Sequence, residues 1–184
     1  LATVTATTVD RGYVLPMNTI TATPNGVQFS QGAAGSVTNS AVNGNQSTVA
    51  GVSAVGVILV GAGAVTVTDN TFDSNDIGLY ATATPDAFVV SGNTLTFSDA
   101  PGVGGVTGIA VGDPLGSTTL ASNVIDGLAG TAMLLFSSAD RAFALSGNRF
   151  VDVASGLEVS GAVTTGPVVS MNGDRFNGVT GNYI

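Results

Sequence analysis

The chain has 184 residues, of which 44% are hydrophobic, 26 are glycine and only 9% are charged, and its formal net charge is −8. It contains no lysine, histidine or cysteine, which excludes disulfides and thiolate metal sites. Nucleic acid and anionic membrane surfaces are disfavoured as partners, because both require a basic surface. No apolar run approaches the roughly 20 residues of a membrane span.

The chain starts with LATVTATTV, which is typical of a β-strand, although residues 1–14 fit the following repeat poorly. From residue 15 onward, a phrase of the form apolar-x-x-Asn-x-apolar recurs. Its copies are LPMNTI (15–20), VTNSAV (37–42), VTDNTF (67–72), VSGNTL (90–95), LASNVI (120–125), LSGNRF (145–150) and MNGDRF (171–176). The anchor residues are Asn18, Ser40, Asn70, Asn93, Asn123, Asn148 and Asp174, which gives an average step of 26 residues from six steps over 156 residues.

A second element follows each anchor and consists of a glycine and alternating apolar residues. Its copies are GVQF (26–29), GVIL (56–59), GLYA (78–81), GIAV (108–111), GTAM (130–133) and GLEV (156–159). Segments with a period of two residues, separated by Gly, Asn, Ser and Asp, predict short strands joined by corners. A unit of this size cannot bury its apolar face alone, so the pattern predicts one all-β solenoid domain over 1–184, with repeats over 15–184 and about seven rungs.

Two columns of apolar residues are predicted to face the core. The first contains Leu15, Val37, Val67, Val90, Leu120, Leu145 and Met171, and the second contains Ile20, Val42, Phe72, Leu95, Ile125, Phe150 and Phe176. Parallel strands connected in this way are expected to wind with a right hand.

This repeat resembles that of the right-handed parallel β-helix proteins, the pectate-lyase-like superfold. The resemblance covers most of the chain from about residue 15 and implies a ladder of asparagines stacked at one tight corner. Asn18, Asn70, Asn93, Asn123 and Asn148 match that ladder, whereas Ser40 and Asp174 depart from it and are expected to interrupt it. The fold hosts many unrelated functions, so the resemblance does not itself assign an activity.

The residue types argue against an enzyme. Without histidine, cysteine or lysine, the chain has no Ser-His-Asp triad, no Cys-His pair and no Schiff-base lysine. The densest carboxylates, Asp69, Asp73 and Asp76, fall at predicted corners, where a solvated turn role competes with a glycosidase role. The segment DSNDIG (73–78) only half-matches a calcium loop, because position five is Ile77 and position twelve is Thr84. We therefore assign no catalytic residue, metal or cofactor.

Arg149 and Arg175 both follow an anchor in neighbouring rungs, so they are expected to lie outward and side by side. Two stacked arginines could grip an anionic ligand. The alternative, which we favour from the sequence, is that they pair with Asp152, Asp174 or Glu158.

Loop length varies between copies, with extra residues around 43–54 and 97–106 at one corner and around 136–142 and 161–166 at another. Insertions at equivalent corners project from the same side, where solenoids commonly bind a protein or glycan, although neutral drift in length explains them equally well. No capping helix is visible at either end, so other copies of the chain or flanking domains are expected to stack there.

These observations favour a non-enzymatic, extracellular or cell-surface β-solenoid with a structural or adhesive role, such as a stalk segment or a filament subunit. The alternative is a carbohydrate-binding or carbohydrate-processing β-helix, related in activity to polysaccharide lyases or glycosidases. Ice binding is disfavoured because outward Thr-Thr pairs occur in only two rungs, at Thr19/Thr21 and Thr94/Thr96.

Overall fold

The computed structural model describes residues 2–5, 8–10, 25–47, 49–97, 106–161 and 167–181, the first two ranges as backbone only. Its regular elements in these ranges are all strands. They are β1 (Ala2–Thr5), β2 (Thr8–Asp10), β3 (Asn25–Ser30), β4 (Gly35–Thr38), β5 (Ala41–Asn43), β6 (Val55–Val60), β7 (Val65–Thr68), β8 (Thr71–Asp73), β9 (Ile77–Thr82), β10 (Phe88–Ser91), β11 (Thr94–Thr96), β12 (Thr107–Gly112), β13 (Thr118–Ala121), β14 (Val124–Asp126), β15 (Thr131–Ser137), β16 (Ala142–Ser146), β17 (Arg149–Val151), β18 (Ser155–Gly161), β19 (Val168–Asn172) and β20 (Arg175–Asn177).

The strands form three parallel sheets, and the chain visits them in the fixed order A, B, C. Sheet A contains β1, β4, β7, β10, β13, β16 and β19; sheet B contains β2, β5, β8, β11, β14, β17 and β20; sheet C contains β3, β6, β9, β12, β15 and β18. Each turn adds one strand to each sheet, which is the architecture of a parallel β-helix. The predicted fold class is therefore confirmed.

The number of complete turns is smaller than predicted. Five turns, from β4 to β18, have all three strands and their side chains described. They are flanked by β1–β3, between which residues 11–24 lie outside the described part, and by β19 and β20. Instead of about seven rungs, the structure describes five turns with their side chains, preceded by the strands β1–β3 and followed by β19 and β20.

The first turn begins earlier than the sequence pattern indicated. β1 pairs with β4, with Val4 opposite Val37, and β2 pairs with β5, with Val9 opposite Val42. Residues 2–10 therefore hold the register positions that were predicted for Leu15 and Ile20, which lie outside the described residues. The signal was missed because residue 7, the position equivalent to the anchor, is a threonine rather than an asparagine.

The two predicted core columns are confirmed from the second turn onward by the strand register. In sheet A, Val37, Val67, Val90, Leu120, Leu145 and Met171 lie opposite one another, and in sheet B the column is Val42, Phe72, Leu95, Ile125, Phe150 and Phe176. The residues of both columns are buried as far as Leu145 and Phe150. Sharing this apolar core between turns is what stabilises strands of only three or four residues.

The corner between sheets A and B, which we call the A–B corner, has the same length in every described turn. Two residues separate the strands, from 39–40 after β4 to 173–174 after β19. The first of the two has a positive φ in each case: Asn39 (48°), Asp69 (57°), Gly92 (66°), Ser122 (54°), Gly147 (65°) and Gly173 (73°). Gly, Asn, Asp and Ser recur here because few other residues tolerate the left-handed region.

The glycine of the second repeat element lies at the start of sheet C, where successive turns approach closely. A Cβ atom on Gly78 would lie 2.7 Å from the carbonyl oxygen of Gly108 and 2.7 Å from Leu95 Cδ2. Gly56 makes the equivalent approach to Gly78. On β15 the register places Ala132, not the predicted Gly130, beside Gly108, because Thr107 pairs with Thr131. The predicted alignment was two residues too early there.

Candidate functional site

The second residue of the A–B corner carries a buried amide in four consecutive turns, and we call Asn70, Asn93, Asn123 and Asn148 the asparagine ladder. Asn93 shows the pattern. Its Nδ2 donates to Oδ1 of Asn123 (3.0 Å) and to the carbonyl oxygen of Val67 (2.9 Å). Its Oδ1 accepts from both Nδ2 (2.9 Å) and the backbone N–H (3.0 Å) of Asn70. All four hydrogen-bonding positions of the amide are used.

The two ends of the ladder differ. Oδ1 of Asp174 accepts hydrogen bonds from Nδ2 (2.7 Å) and the backbone N–H (2.9 Å) of Asn148, so the predicted interruption at Asp174 is wrong. A carboxylate replaces the amide as acceptor but cannot donate onward, which suits a last step. At the other end, the backbone N–H of Ser40 donates to Oδ1 of Asn70 (2.9 Å), and the Ser40 hydroxyl donates to the carbonyl oxygen of Thr38 (2.9 Å). The predicted first step, Asn18, lies outside the described residues.

A second, shorter pair of amides lies at the corner between sheets B and C, the B–C corner, and was not predicted. Nδ2 and the backbone N–H of Asn45 donate to Oδ1 of Asn75 at 2.6 and 3.1 Å. The next residue, Asp76, is fully buried, and its Oδ2 accepts from the backbone N–H groups of Ser47 (2.7 Å) and Ala54 (3.0 Å). One carboxylate thus holds both ends of the 47–54 loop.

A sequence signal for this pair existed. Asn45 and Asn75 both lie five residues after their anchors. In later turns the same position is Leu128, Val153 or Val179, each buried and apolar. The corner can therefore be filled either by paired amides or by hydrophobic side chains.

The three clustered aspartates occupy structural positions. Asp69 lies at the A–B corner with a φ of 57°. Oδ1 of Asp73 accepts from the hydroxyls of Ser74 (3.2 Å) and Thr96 (3.0 Å), and Asp76 holds the loop described above. Within the described ranges, no three His, Cys, Asp or Glu side chains are grouped so that they could hold a metal ion.

A further carboxylate stabilises the corner between sheets C and A, the C–A corner. Oδ1 of Asp113 accepts from the backbone N–H (2.7 Å) and hydroxyl (2.9 Å) of Ser138 and from the hydroxyl of Ser137 (3.1 Å). The backbone N–H of Ser138, then its hydroxyl, hold the pKa of the Asp113 carboxyl below its ordinary value, and the charge of Arg141 adds to this. The group remains ionised and ties two turns together.

Arg149 and Arg175 lie directly opposite each other on β17 and β20, and both are exposed on the outer face of sheet B. The predicted side-by-side position is therefore observed. The favoured pairing with an acidic residue is not: in the part of the chain that is described, neither guanidinium has an ion pair or side-chain hydrogen bond. Asp174 is used by the ladder, and Oε1 of Glu158 accepts from the hydroxyl of Thr131 on sheet C (2.9 Å).

The outer face of sheet C carries two aromatic rings that the sequence analysis did not single out. The side chains of Tyr80 and Phe136 are partly exposed, and their ring centroids lie 6.4 Å apart at 32°. Phe136 lies across Gly112 on the neighbouring strand, where a Cβ atom would collide with the ring. Leu134 and Ile58 extend the apolar character of this face.

The insertions predicted around 43–54 and 97–106 both fall between a strand of sheet B and the next strand of sheet C, although residues 48 and 98–105 lie outside the described part. The predicted lengthening at 136–142 is wrong, because β15 extends to Ser137 and the corner 138–141 has the same length as 31–34 and 61–64. Residues 162–166 lie outside the described part.

No helix in the described ranges has the length and hydropathy needed to cross a membrane.

The comparison with protein families gives one match. The model of the family described as "Periplasmic copper-binding protein (NosD)" matches residues 3–184. No curated protein and no solved structure matches the chain. Because the family model spans nearly the whole chain, which also has the parallel β-helix described above, the chain belongs to the NosD family.

Proposed function

We propose that this chain is a non-enzymatic β-helix of the cell envelope or extracellular space, with a structural or adhesive role. The family description, which names a periplasmic protein, supports an envelope compartment. The observation that carries the proposal is the use made of the polar side chains. The buried amides of the asparagine ladder bond to one another along the stack, and the buried Asp76 bonds to the backbone of the 44–54 loop in the preceding turn.

A copper centre does not fit the residues present, although the family description names copper binding. Copper favours thiolate, thioether and imidazole ligands, and the chain has neither cysteine nor histidine. Of its three methionines, Met133 is fully buried on sheet C, Met171 lies on sheet A, and Met17 is outside the described residues. The proposed role therefore involves no metal chemistry on this chain.

The test of a non-enzymatic role is a search for turnover. The purified chain is incubated with uronic-acid and neutral polysaccharides, and new reducing ends and unsaturated uronates are measured against a polysaccharide lyase as positive control. We expect no product above a heat-denatured sample. Product that accumulates in proportion to the amount of folded chain would overturn the proposal.

A structural role is tested by the state of assembly in solution. Sedimentation velocity and negative-stain electron microscopy at rising concentration are expected to show rods that associate end to end. Monomers at every concentration, together with no retention on isolated envelope material, would contradict a structural or adhesive role.

Carbohydrate binding is a second candidate, favoured by the outward Tyr80 and Phe136 on sheet C. Aromatic rings on a flat face present apolar surface on which a sugar ring can stack. We expect Tyr80→Ala or Phe136→Ala to weaken retention on a neutral polysaccharide about three- to tenfold in affinity electrophoresis. Val168→Ala is the matched control, because Val168 is an exposed apolar residue on β19 of sheet A rather than on sheet C. Equal migration of all variants with and without polysaccharide would exclude this candidate.

A further inference from the structure

Two of the four arginines of this acidic chain lie opposite each other on neighbouring strands. Arg149 and Arg175 are register partners on neighbouring strands of sheet B, where parallel strands lie about 4.8 Å apart. Like charges directly opposite each other in a sheet are destabilising. The pair therefore carries an electrostatic cost for folding, although the chain has a net charge of −8 and twelve acidic residues.

Among the described residues, no carboxylate forms an ion pair with either arginine. Asp174 precedes Arg175, but its two oxygens accept hydrogen bonds from Asn148 and from the backbone N–H of Asn172. Asp126 lies on the outer face one strand away, and its register partner is Val151 rather than Arg149. Within the described residues, both guanidinium groups are exposed with their donors unused.

The backbone beneath the pair is held in place. On the inner face, the rings of Phe150 and Phe176, the residues that follow the two arginines, stack with centroids 4.7 Å apart. The residues that precede them are ladder members, with Asn148 bonded to Asp174 at 2.7 Å. The two arginine Cα positions are thus fixed relative to each other, which lowers the entropy lost when both side chains bind one ligand.

We propose that Arg149 and Arg175 form a binding site for a tetrahedral oxyanion, a sulfate or phosphate group. Each guanidinium presents a planar fork of N–H donors that matches oxyanion geometry. A tetrahedral anion offers acceptor oxygens in more than one direction, so it can bridge two forks on adjacent strands. Binding also replaces the repulsion between the two cations by two charge-assisted interactions.

The experiment measures the binding of inorganic sulfate and inorganic phosphate to the whole chain at constant ionic strength, by isothermal titration calorimetry and by the shift in Tm relative to chloride. Both anions are expected to bind with one site per chain. Arg149→Gln and Arg175→Gln are each expected to lower the affinity at least about tenfold, because each removes one charge-assisted partner. Arg149→Lys is expected to restore part of it, since it keeps the charge without the fork.

Arg141→Gln is the control for a general loss of positive charge, because Arg141 lies at the C–A corner beside Asp113. It is expected to bind sulfate like the unmodified chain. Binding that survives in the double variant Arg149→Gln/Arg175→Gln would overturn the proposal, as would the absence of binding in the unmodified chain. Acetate that binds as tightly as sulfate would overturn the assignment to a tetrahedral anion. None of these outcomes depends on whether the chain has a structural role.

Discussion

The A–B and B–C corners of the same turns differ in their length and in how far hydrogen bonds connect them between turns. The A–B corner has two residues in every described turn, whereas the B–C corner has eleven at 44–54, three at 74–76, ten at 97–106 and four at 127–130. The asparagine ladder connects four consecutive A–B corners and continues to Asp174, but the amide pair of the B–C corner joins only Asn45 and Asn75.

We infer that the continuous ladder limits the length of the A–B corner, whereas the isolated Asn45–Asn75 pair does not prevent an eleven-residue corner at 44–54. An amide in the ladder must meet partners in both neighbouring turns, so an extra residue would leave several buried groups unpaired. At the B–C corner, the amide of Asn45 pairs with that of Asn75 alone, and Asp76 holds the backbone at Ser47 and Ala54, near the two ends of the long loop. Additional residues can therefore leave the stack and return, at a cost that grows only slowly with loop length.

Insertion of one alanine at each corner gives the largest expected contrast. Between Ser122 and Asn123 it moves a ladder amide and shifts β14 by one residue, which turns its inward side chains outward. We expect this variant to lose at least about 5 kcal/mol, the scale of a whole domain's stability. The same insertion after Gly51, exposed in the 44–54 loop, is expected to cost less than about 1 kcal/mol. Urea unfolding followed by circular dichroism measures both, and similar losses at the two corners would refute the comparison.

Removal of one ladder amide is expected to have the next largest effect. Asn123→Ala leaves Nδ2 and the backbone N–H of Asn93 without their acceptor. It also removes the Nδ2 donor to Oδ1 of Asn148 and to the carbonyl oxygen of Val90, although the backbone N–H of residue 123 still donates to Asn148. Several buried unsatisfied groups predict a loss of about 3–5 kcal/mol in the free energy of unfolding. The control is Ser122→Gly, at the neighbouring exposed position of positive φ, which should change stability little. A loss below about 1 kcal/mol for Asn123→Ala would mean that water replaces the amide.

Removal of a buried polar group that has no partner is expected to raise stability, in contrast to the removal of a paired ladder amide. Thr118 is 2% exposed in sheet A between Phe88 and Phe143, and its Oγ1 has no hydrogen-bond partner among the residues that the structure describes. Thr118→Val removes that unpaired group with little change in shape, so we expect a gain of about 1–2 kcal/mol. Thermal unfolding measures the change, with Thr119→Val on the outer face as control. Destabilisation by Thr118→Val would show that the hydroxyl is satisfied.

The smallest expected effect is a dependence of stability on pH. It distinguishes the C–A corner, which the Asp113 carboxylate stabilises, from the A–B corner, which amides stabilise. The pKa of Asp113 lies below its ordinary value of 3.8 in the folded chain, mainly because of the hydrogen bond from the Ser138 backbone. Its stabilisation is therefore complete above pH 3.8 and is lost as the pH falls through the lower, folded-state pKa. Asp113→Asn should lower Tm by a few degrees at pH 7 and by progressively less below pH 4. A difference from the unmodified chain that is constant from pH 7 to pH 3 would contradict this.

Particular residues show how far sequence reasoning extends to the site. The ladder members Asn70 to Asn148 could be identified because each is embedded in the same local phrase. Asp174 was misjudged because the phrase does not reveal that an acceptor alone is sufficient at a last step. Asp76 was missed as a loop anchor, because its partners Ser47 and Ala54 lie 29 and 22 residues away along the chain.

The sequence by itself determined the period, the alternation of inward and outward residues and the corner at which the amides stack, because these properties are local and repeat in every turn. Only the tertiary structure decided that residues 2–5 and 8–10 supply the first strands of sheets A and B and that Ala132 lies beside Gly108, where other turns have a glycine. It also decided that Arg149 and Arg175 have no acidic ion-pair partner among the described residues. These facts depend on which strands pair between turns, and a local pattern does not encode that pairing where a copy deviates.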